Sequence, residues 1–425
     1  MKGSSAIPLA TRHLGAGLAA LALVLTAACS GSENADTAGG DEADPATATI
    51  TPEDGADEVK PNLPVKVEAE GGTITDVAVQ QSGGETPDDS ADMSGSLNED
   101  ENVWVSDWNL YPGSDVEVAA TVQNPDGEES EVVSEFSTRS ATEGQRLELT
   151  SNFPTSDQTV GVGMPVVINF DMPVENKGQV ENSIEVTSEE GMEGAWNWFG
   201  DETAVFRPKE YWEPNQEITV DLRLAGVEAS DGVFGIENHQ INFEVGREQI
   251  STVDDEEHTM VVERDGEEIK EFPISNGDAS KHIYTTTSGT HLTMEKYEHL
   301  VMDSSTVGIP VDSPEGYKLD VNYAVRTSGS GEFTHSAPWN GQLGESNESH
   351  GCTNMAPEDA KWFYEESLMG DPFTVTGTDR ELEVDNGWGY WQRSWEEWLE
   401  HSETGEADRT DGNGTVGSPH GKPEE

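Results

Sequence analysis

The sequence predicts a mainly β chain: two immunoglobulin-like β-sandwiches, then a third β-rich unit with one or two helices, and a C-terminal Trp-rich helix. Three observations carry this. Apolar and polar residues alternate with period two in short runs, as half-buried strands require. Turn signals recur at short intervals, among them Asn124-Pro125-Asp126-Gly127, and no helical period is visible over residues 61–142. At 425 residues the chain exceeds one ordinary hydrophobic core, so two or three domains are expected.

Residues 1–28 begin with Lys2 and Arg12 and continue into an apolar run over 15–28. That run is shorter than the roughly 20 residues a membrane-spanning helix needs, and it fits the core of a signal peptide. Leu25-Thr26-Ala27-Ala28-Cys29 resembles a lipobox, with Thr26 where leucine is commoner, which makes Cys29 the candidate lipidation site. The expected location is the outer face of the cell membrane, reached through a lipid anchor. Residues 29–60 are rich in Gly, Ala, Thr, Asp and Glu, cannot bury a core, and read as a disordered tether.

The first sandwich is expected over 61–142, where Val-Glu-Val-Ala-Ala-Thr-Val at 116–122 precedes the 124–127 turn; an acidic, Gly-rich insert at 81–101 interrupts the pattern. The second is expected over 143–246, with alternating runs at 166–170, 218–224 and 241–245. Trp196 and Trp198 share one strand face and read as core or interdomain packing rather than a sugar platform. Asp231-Gly232-Val233-Phe234-Gly235 reads as a turn; its Asp231 carboxylate is also a candidate ligand for a structural Ca²⁺, with one acidic group in its favour.

The third unit is expected over 247–378. Asp265-Gly266 between apolar runs signals a hairpin. The stretch 283–310, with Gly289 and Gly308 as candidate hinges, is expected to form a lid hairpin in which Met294 and Met302 face substrate or pack the lid. Pro357-Glu358-Asp359 starts a helix with proline and acids in its first turn, and Ala360, Phe363, Tyr364 and Ser367 mark its buried stripe. Trp391, Trp395 and Trp398, with Trp388 a turn earlier, predict an amphipathic helix within 379–402 that docks on a neighbouring domain. Residues 403–425 read as a disordered tail.

Chemistry concentrates in Ser349-His350-Gly351-Cys352-Thr353-Asn354. Cys29 and Cys352 are the only cysteines, so lipidation of the first leaves the second as an unpaired thiol. A free thiol with a pKa of roughly 8.5 is mostly neutral at pH 7 and needs a base or a positive neighbour to become a nucleophile. His335 and His350 compete for that role, and chemistry alone does not choose between them. His350 is adjacent in sequence, yet neighbouring side chains in an extended turn point to opposite faces. The bland alternative for His350 is a structural histidine bonded to nearby backbone.

His335, a spacer and Ser-His-Gly-Cys-x-Asn together resemble the signature of the L,D-transpeptidases, the YkuD-like enzymes that cross-link bacterial cell walls. The likeness runs over residues 248–377 and includes Phe333-Thr334-His335-Ser336-Ala337-Pro338-Trp339, the stretch 308–317 and the stretch 360–364. It resembles the long, membrane-anchored actinobacterial members with upstream immunoglobulin-like domains. The resemblance implies a YkuD-like catalytic domain with Cys352 as nucleophile and His335 as general base and acid, oriented through the backbone carbonyl of Ser336. It places His350, Gly351 and Cys352 at the oxyanion hole, and Tyr317, Ser330, Gly331 and Asn354 around the donor stem peptide. Two departures are visible: Thr353 stands where the family is usually aliphatic, and Val307 stands in the lid where relatives often carry an aromatic residue.

The implied activity is formation of 3→3 peptidoglycan cross-links through a cysteine thioester, with release of D-alanine and no cofactor required. Stem peptides are the implied partners, and carbapenem-type inhibitors are expected to acylate Cys352. An L,D-carboxypeptidase that trims tetrapeptide stems, or a non-catalytic wall-binding lipoprotein, are the alternatives; the intact His335, Cys352 and Asn354 argue against the last.

The formal charge of −63 excludes nucleic acid as a partner, because phosphate contacts need clustered Lys and Arg. Such a surface repels itself in dilute salt and is screened in concentrated salt, which predicts a halophilic protein. Its melting temperature and activity should therefore rise with NaCl; full stability in dilute buffer contradicts this.

Overall fold

A computed structural model describes residues 44–87, 93–314, 316–412 and 419–420. The expected signal peptide and Cys29 lie outside the described residues. The fold is mostly β, as expected, with two sandwiches preceding a β-rich third module.

The first sandwich packs a four-stranded sheet (Thr47–Thr51, Lys66–Glu70, Val103–Ser106, Gly95–Leu97) against a three-stranded one (Thr73–Ser82, Asp115–Gln123, Glu129–Ser137). Alternate residues of Asp115–Gln123, namely Val116, Val118, Ala120 and Val122, are buried, as period two demands. The 124–127 turn closes the expected hairpin: Asn124 Oδ1 accepts the Asp126 N–H at 3.1 Å. Thr47–Thr51 corrects the expected tether to residue 60. Its Ile50 enters the core, and its backbone pairs in register with Lys66–Glu70. Lys60 and Asn62 bind Glu228 of the second sandwich at 3.1 and 3.0 Å.

The second sandwich joins Thr159–Val160, His239–Val245, Gln216–Leu222 and Ile184–Ser188 in one sheet. Its other sheet holds Asp408–Arg409, Glu193–Phe199, Thr203–Pro208, Val166–Phe170 and Leu149–Phe153. Trp196 and Trp198 are buried in the core, and Trp198 Nε1–H donates to Glu181 Oε1 at 2.7 Å. Asp231 is exposed at the hairpin between Glu228–Ser230 and Val233–Gly235. The Ca²⁺ expectation finds no support: among the described residues no three His, Cys, Asp or Glu side chains are grouped to hold a metal.

The C-terminal segment departs from expectation. Instead of one helix there is a 3₁₀ turn at Tyr390–Gln392 and a five-residue helix, Trp395–Leu399. Arg393 between them is extended, and Ser394 starts the second piece with a capping box to Glu397. The break lets Arg393 reach Asn197 Oδ1 at 3.0 Å. The indoles dock on the second sandwich as a strap. Trp398 Nε1–H donates to Ala195 O at 2.9 Å, and the Arg207 guanidinium sits 4.5 and 4.6 Å from the rings of Trp391 and Trp398. Residues 403–412 of the expected disordered tail continue this strap: Asp408–Arg409 pairs with Glu193–Phe199, and buried Glu181 accepts bonds from Ser402, Glu403 and Thr404. A buried carboxylate needs such donors, and the tail supplies them.

The third module has a five-stranded sheet ordered Glu267–Pro273, Thr259–Arg264, Gln249–Asp254, Pro372–Thr376, Gly289–Leu292. A second sheet runs Lys296–Asp303, Lys318–Arg326, Phe333–Ser336, Thr353–Met355, and the helix Pro357–Glu366 packs Ala360 and Phe363 into the core. Asp265 and Gly266 both have positive φ, as the two-residue hairpin requires. The expected lid limits are corrected. Gly289–Leu292 is part of the five-stranded sheet, where Gly289 abuts Gln392, and Met294 joins the core of the second sandwich. The hairpin Lys296–Asp303/Lys318–Arg326 instead forms the outer part of the second sheet, with a 3₁₀ turn at Ser304–Val307 ending on left-handed Gly308.

The third module and the second sandwich are tightly joined. Gly161 and Gly163 donate backbone bonds to Met369 O and Gly370 O at 2.7 and 3.0 Å, and a Cβ on Gly161 would collide with Asp371. Arg247 holds the buried Asp371 carboxylate through two bonds of 2.8 and 2.9 Å. Replacing fully buried Trp398 by alanine should cost about 3–5 kcal/mol of unfolding free energy, and truncation after Val384 should lower the melting temperature further. Unchanged melting with weaker binding to isolated cell wall would instead assign the indoles to glycan stacking.

Candidate active site

Two short strands build the site. Phe333–Ser336 and Thr353–Met355 lie parallel, with Thr334 opposite Thr353, His335 opposite Asn354 and Ser336 opposite Met355. Because Cys352 directly precedes the second strand, this register brings the thiol to the histidine. Both side chains line a pocket of about 190 Å³ together with Asn354, Tyr317, Ser349 and His350. Its remaining wall is Met302, Leu319, Trp339 and Glu348.

His335 Nδ1 lies 3.0 Å from Ser336 O. A carbonyl only accepts, so Nδ1 carries the ring proton and Nε2 keeps its lone pair for a donor. Burial pushes the His335 pKa down to about 4, against a smaller opposing effect of that carbonyl. Burial likewise pushes the Cys352 thiol up to about 12. The resting pair is therefore a neutral thiol and a neutral imidazole. Cys352 Sγ is 3.9 Å from Gly331 O.

The turn ahead of Cys352 is held from several sides. Ser349 Oγ–H donates to Cys352 O at 2.6 Å, and Thr286 Oγ1–H donates to Gly351 O at 2.9 Å. Gly351 adopts φ 123°, which a side chain would resist. Its N–H donates to Ser349 Oγ at 3.1 Å. The Gly351 N–H, expected at the oxyanion hole, is thus engaged inside the turn. Thr353 is held by a bond, donating to Asn276 Oδ1 at 2.8 Å, while Asn276 Nδ2 donates to Asp255 Oδ1 at 2.8 Å.

Among the proposed pocket residues, Asn354 Oδ1 is buried and has no hydrogen-bond partner among the described residues, so it can accept an incoming N–H. Tyr317 is half-buried, and burial raises its phenol to about 12, which keeps it a neutral donor. Exposed His350 lies with its ring centre 4.2 Å from that of Tyr284 and 5.3 Å from that of Tyr317, at the pocket wall. Ser330 is not brought to this pocket. It bonds Asn386, with Ser330 N to Asn386 Oδ1 at 2.7 Å, and lines a separate groove of about 610 Å³.

Sequence reasoning assigned no role to Trp339, which is 53% exposed with its ring centre 6.2 Å from that of His335. An exposed indole four residues after a candidate base was the available signal. Met302, named for lid or substrate, does line the pocket.

Because His335 is held neutral, its contribution to stability is fully present above the unfolded value near 6.5 and is lost as pH falls toward 4. An NMR titration of the His335 ring should give a midpoint well below 6.5; a midpoint at or above 6.5 contradicts the burial argument.

The chain is similar to known proteins. The YkuD family, L,D-transpeptidase catalytic domain, matches residues 248–375, and a bacterial Ig domain family matches residues 56–228. L,D-transpeptidase 2 of Mycobacterium tuberculosis is 38% identical over 233 residues, covering 54% of this chain and 56% of that relative. The chain thus spans little more than half the length of that protein. L,D-transpeptidase 5 of Mycobacterium tuberculosis is 30% identical over 361 residues, covering 83% of this chain and 76% of the relative. A solved structure of LD transpeptidase LdtMt1 in complex with imipenem is 34% identical, with a TM-score of 0.47 over 54% of this chain and 98% of that one. On the sequence match along most of its length, the chain belongs to the L,D-transpeptidase family.

Proposed function

We propose that this protein is a cysteine acyltransferase that joins peptidoglycan stems through their third residues. The observation that carries the reading is the single pocket shared by the Cys352 thiol, the His335 ring and the unpartnered Asn354 carbonyl. His335 Nε2 takes the thiol proton, and the thiolate attacks the carbonyl of the third residue of a tetrapeptide stem. The tetrahedral oxyanion collapses as His335 returns the proton to the departing amine of D-alanine, leaving a thioester on Cys352. The side-chain amine of a second stem then attacks the thioester and loses its proton to His335. Collapse of this second intermediate expels the Cys352 thiolate, which recovers the proton. No cofactor takes part in any step.

Burial raises the free energy of thiolate and imidazolium alike, so charge separation is favoured only when a substrate carbonyl is present to receive the electron pair. Donors aimed at the oxyanion are worth about 3 kcal/mol each in related acyl transfers. The His350 and Cys352 backbone remains the candidate source, since the Gly351 N–H is engaged. The same reading locates the protein outside the membrane, anchored through a lipid on Cys29 and reaching into the wall in a saline medium. It also makes carbapenems acylating inhibitors of Cys352.

Incubating purified protein with a disaccharide tetrapeptide and weighing the products tests the proposal. A cross-linked dimer with loss of D-alanine is expected, and Cys352→Ala or His335→Ala should reduce its formation at least a hundredfold. Tripeptide alone would indicate a carboxypeptidase, and unchanged substrate a binding protein; either outcome overturns the transferase reading.

A further inference from the structure

The acyl-transfer scheme makes no use of a buried polar array that borders the Cys352 turn without lining the pocket. Asn276, 0% exposed, is its centre. Its side chain and its backbone both bind the turn: Oδ1 accepts the Thr353 hydroxyl at 2.8 Å, and the carbonyl accepts the Ser349 N–H at 2.9 Å. Ser349 and Thr353 bracket Cys352, so one residue grips both ends of the turn. Its neighbours extend the contact. Ser275 exchanges backbone bonds with Asn354, and a Cβ on Gly277 would stand 3.0 Å from Gly351 Cα. The segment 275–277 is thus laid along 349–354.

Asn276 is itself fixed from outside the turn. Its Nδ2 donates to Asp255 Oδ1 at 2.8 Å, and its N–H donates to Asn347 Oδ1 at 2.9 Å. Asn347 Nδ2 in turn donates to Asp255 O at 3.0 Å, which closes a second layer. These bonds decide which way the Asn276 amide faces. A carboxylate oxygen accepts, so Nδ2 turns to Asp255 and Oδ1 to Thr353, and the Thr353 hydroxyl has to donate. The aliphatic residue usual in the family at this position would leave Asn276 Oδ1 buried without a partner. Threonine at 353 and asparagine at 276 therefore work as a matched pair.

We infer that Asn276, anchored by Asp255, is a positioning residue for acyl transfer: it clasps the Ser349–Thr353 turn through the Thr353 hydroxyl and the Ser349 N–H, and so sets where Cys352 Sγ stands against His335. The inference rests on Cys352 being the nucleophile. Asn276 and Thr353 touch no pocket space, so they act on the reaction only through the turn. Loss of the clasp slows the step in which Sγ attacks and leaves the substrate contacts of the pocket in place.

Acetylation by p-nitrophenyl acetate tests this without a stem peptide. The Sγ–acetyl bond forms, the ester C–O bond breaks, and the thiol proton, taken by His335, leaves with p-nitrophenol. Thr353→Val and Asn276→Leu should each slow acetylation, weighed on the peptide containing residue 352, about tenfold. Thr353→Ser keeps the donor and should stay within about twofold of the parent, and the double variant should be no slower than the slower single variant, because both changes remove the same bond. On a tetrapeptide stem, Thr353→Val should lower kcat at unchanged KM. A Thr353→Val protein at the parent rate, a Thr353→Ser protein as slow as Thr353→Val, or a raised KM at parent kcat overturns the inference. Should Thr353→Val fail to fold, Asp255→Ala decides instead: about threefold slower acetylation is expected, and an unchanged rate overturns the clasp. The expected acetylation pattern without any dimer from the stem would sink the transferase reading and leave the clasp standing; a parent protein that gains no acetyl group on Cys352 overturns both.

Discussion

Phe333–Ser336 and Thr353–Met355 are strands of four and three residues, and their parallel register is the constraint on which the rest of the site depends. Side chains alternate across a strand, so a slip of one residue would turn His335 to the opposite face and separate it from Cys352. Such short strands do not hold register by themselves. They are fixed by Ser275, whose backbone exchanges bonds of 3.1 and 2.8 Å with Asn354, and by Ala337, whose N–H donates to Met355 O at 2.9 Å. The helix Pro357–Glu366 then covers the core beneath them with Ala360 and Phe363. The thiol's chemistry is thus a consequence of backbone pairing several residues away from it.

The second sandwich belongs to this scaffold. Its glycines at 161 and 163 bring backbone against the loop at 369–371, and Arg247 pins Asp371 from the same side. The C-terminal strap closes the arrangement by crossing from the catalytic module back onto the sandwich. Arg207 under the strap has no carboxylate among its described ion pairs, and burial draws its guanidinium down to about 10. Its charge is met instead by indole faces and by Arg393 O at 2.9 Å. Burying a cation this way favours one fixed geometry for the strap over many loose ones.

Much of this was legible in the residues. Asp265-Gly266 announced its hairpin because two left-handed residues are rarely needed elsewhere, and Pro357-Glu358-Asp359 announced a helix start through fixed φ and dipole compensation. Cys352 and His335 were legible through a family likeness, whereas their chemistry alone left His350 in contention. What failed did so because long-range partners decide it. Thr47–Thr51 looks unstructured until Lys66–Glu70 pairs with it, and the tail looks unstructured until Glu181 accepts its amides. The indole spacing promised one helix, but tertiary bonds to Arg393 and the Ser394 cap outweighed local period. Ser330 and Gly331 are neighbours in sequence, yet Ser330 lines a separate groove while the Gly331 carbonyl lies 3.9 Å from Cys352 Sγ, the chain turning at the positive φ of Gly331.

The electrostatic picture is of a site whose burial keeps the Cys352 thiol and the His335 imidazole neutral, with the imidazole proton on Nδ1 directed at Ser336 O. The most direct test of this account is to quench the protein within its first turnovers on a tetrapeptide stem and map the covalent adduct by mass. The account predicts a tripeptidyl group, lacking the terminal D-alanine, on the peptide containing Cys352 and absent from a His335→Gln protein. An adduct on another residue, or its undiminished formation without His335, would contradict it.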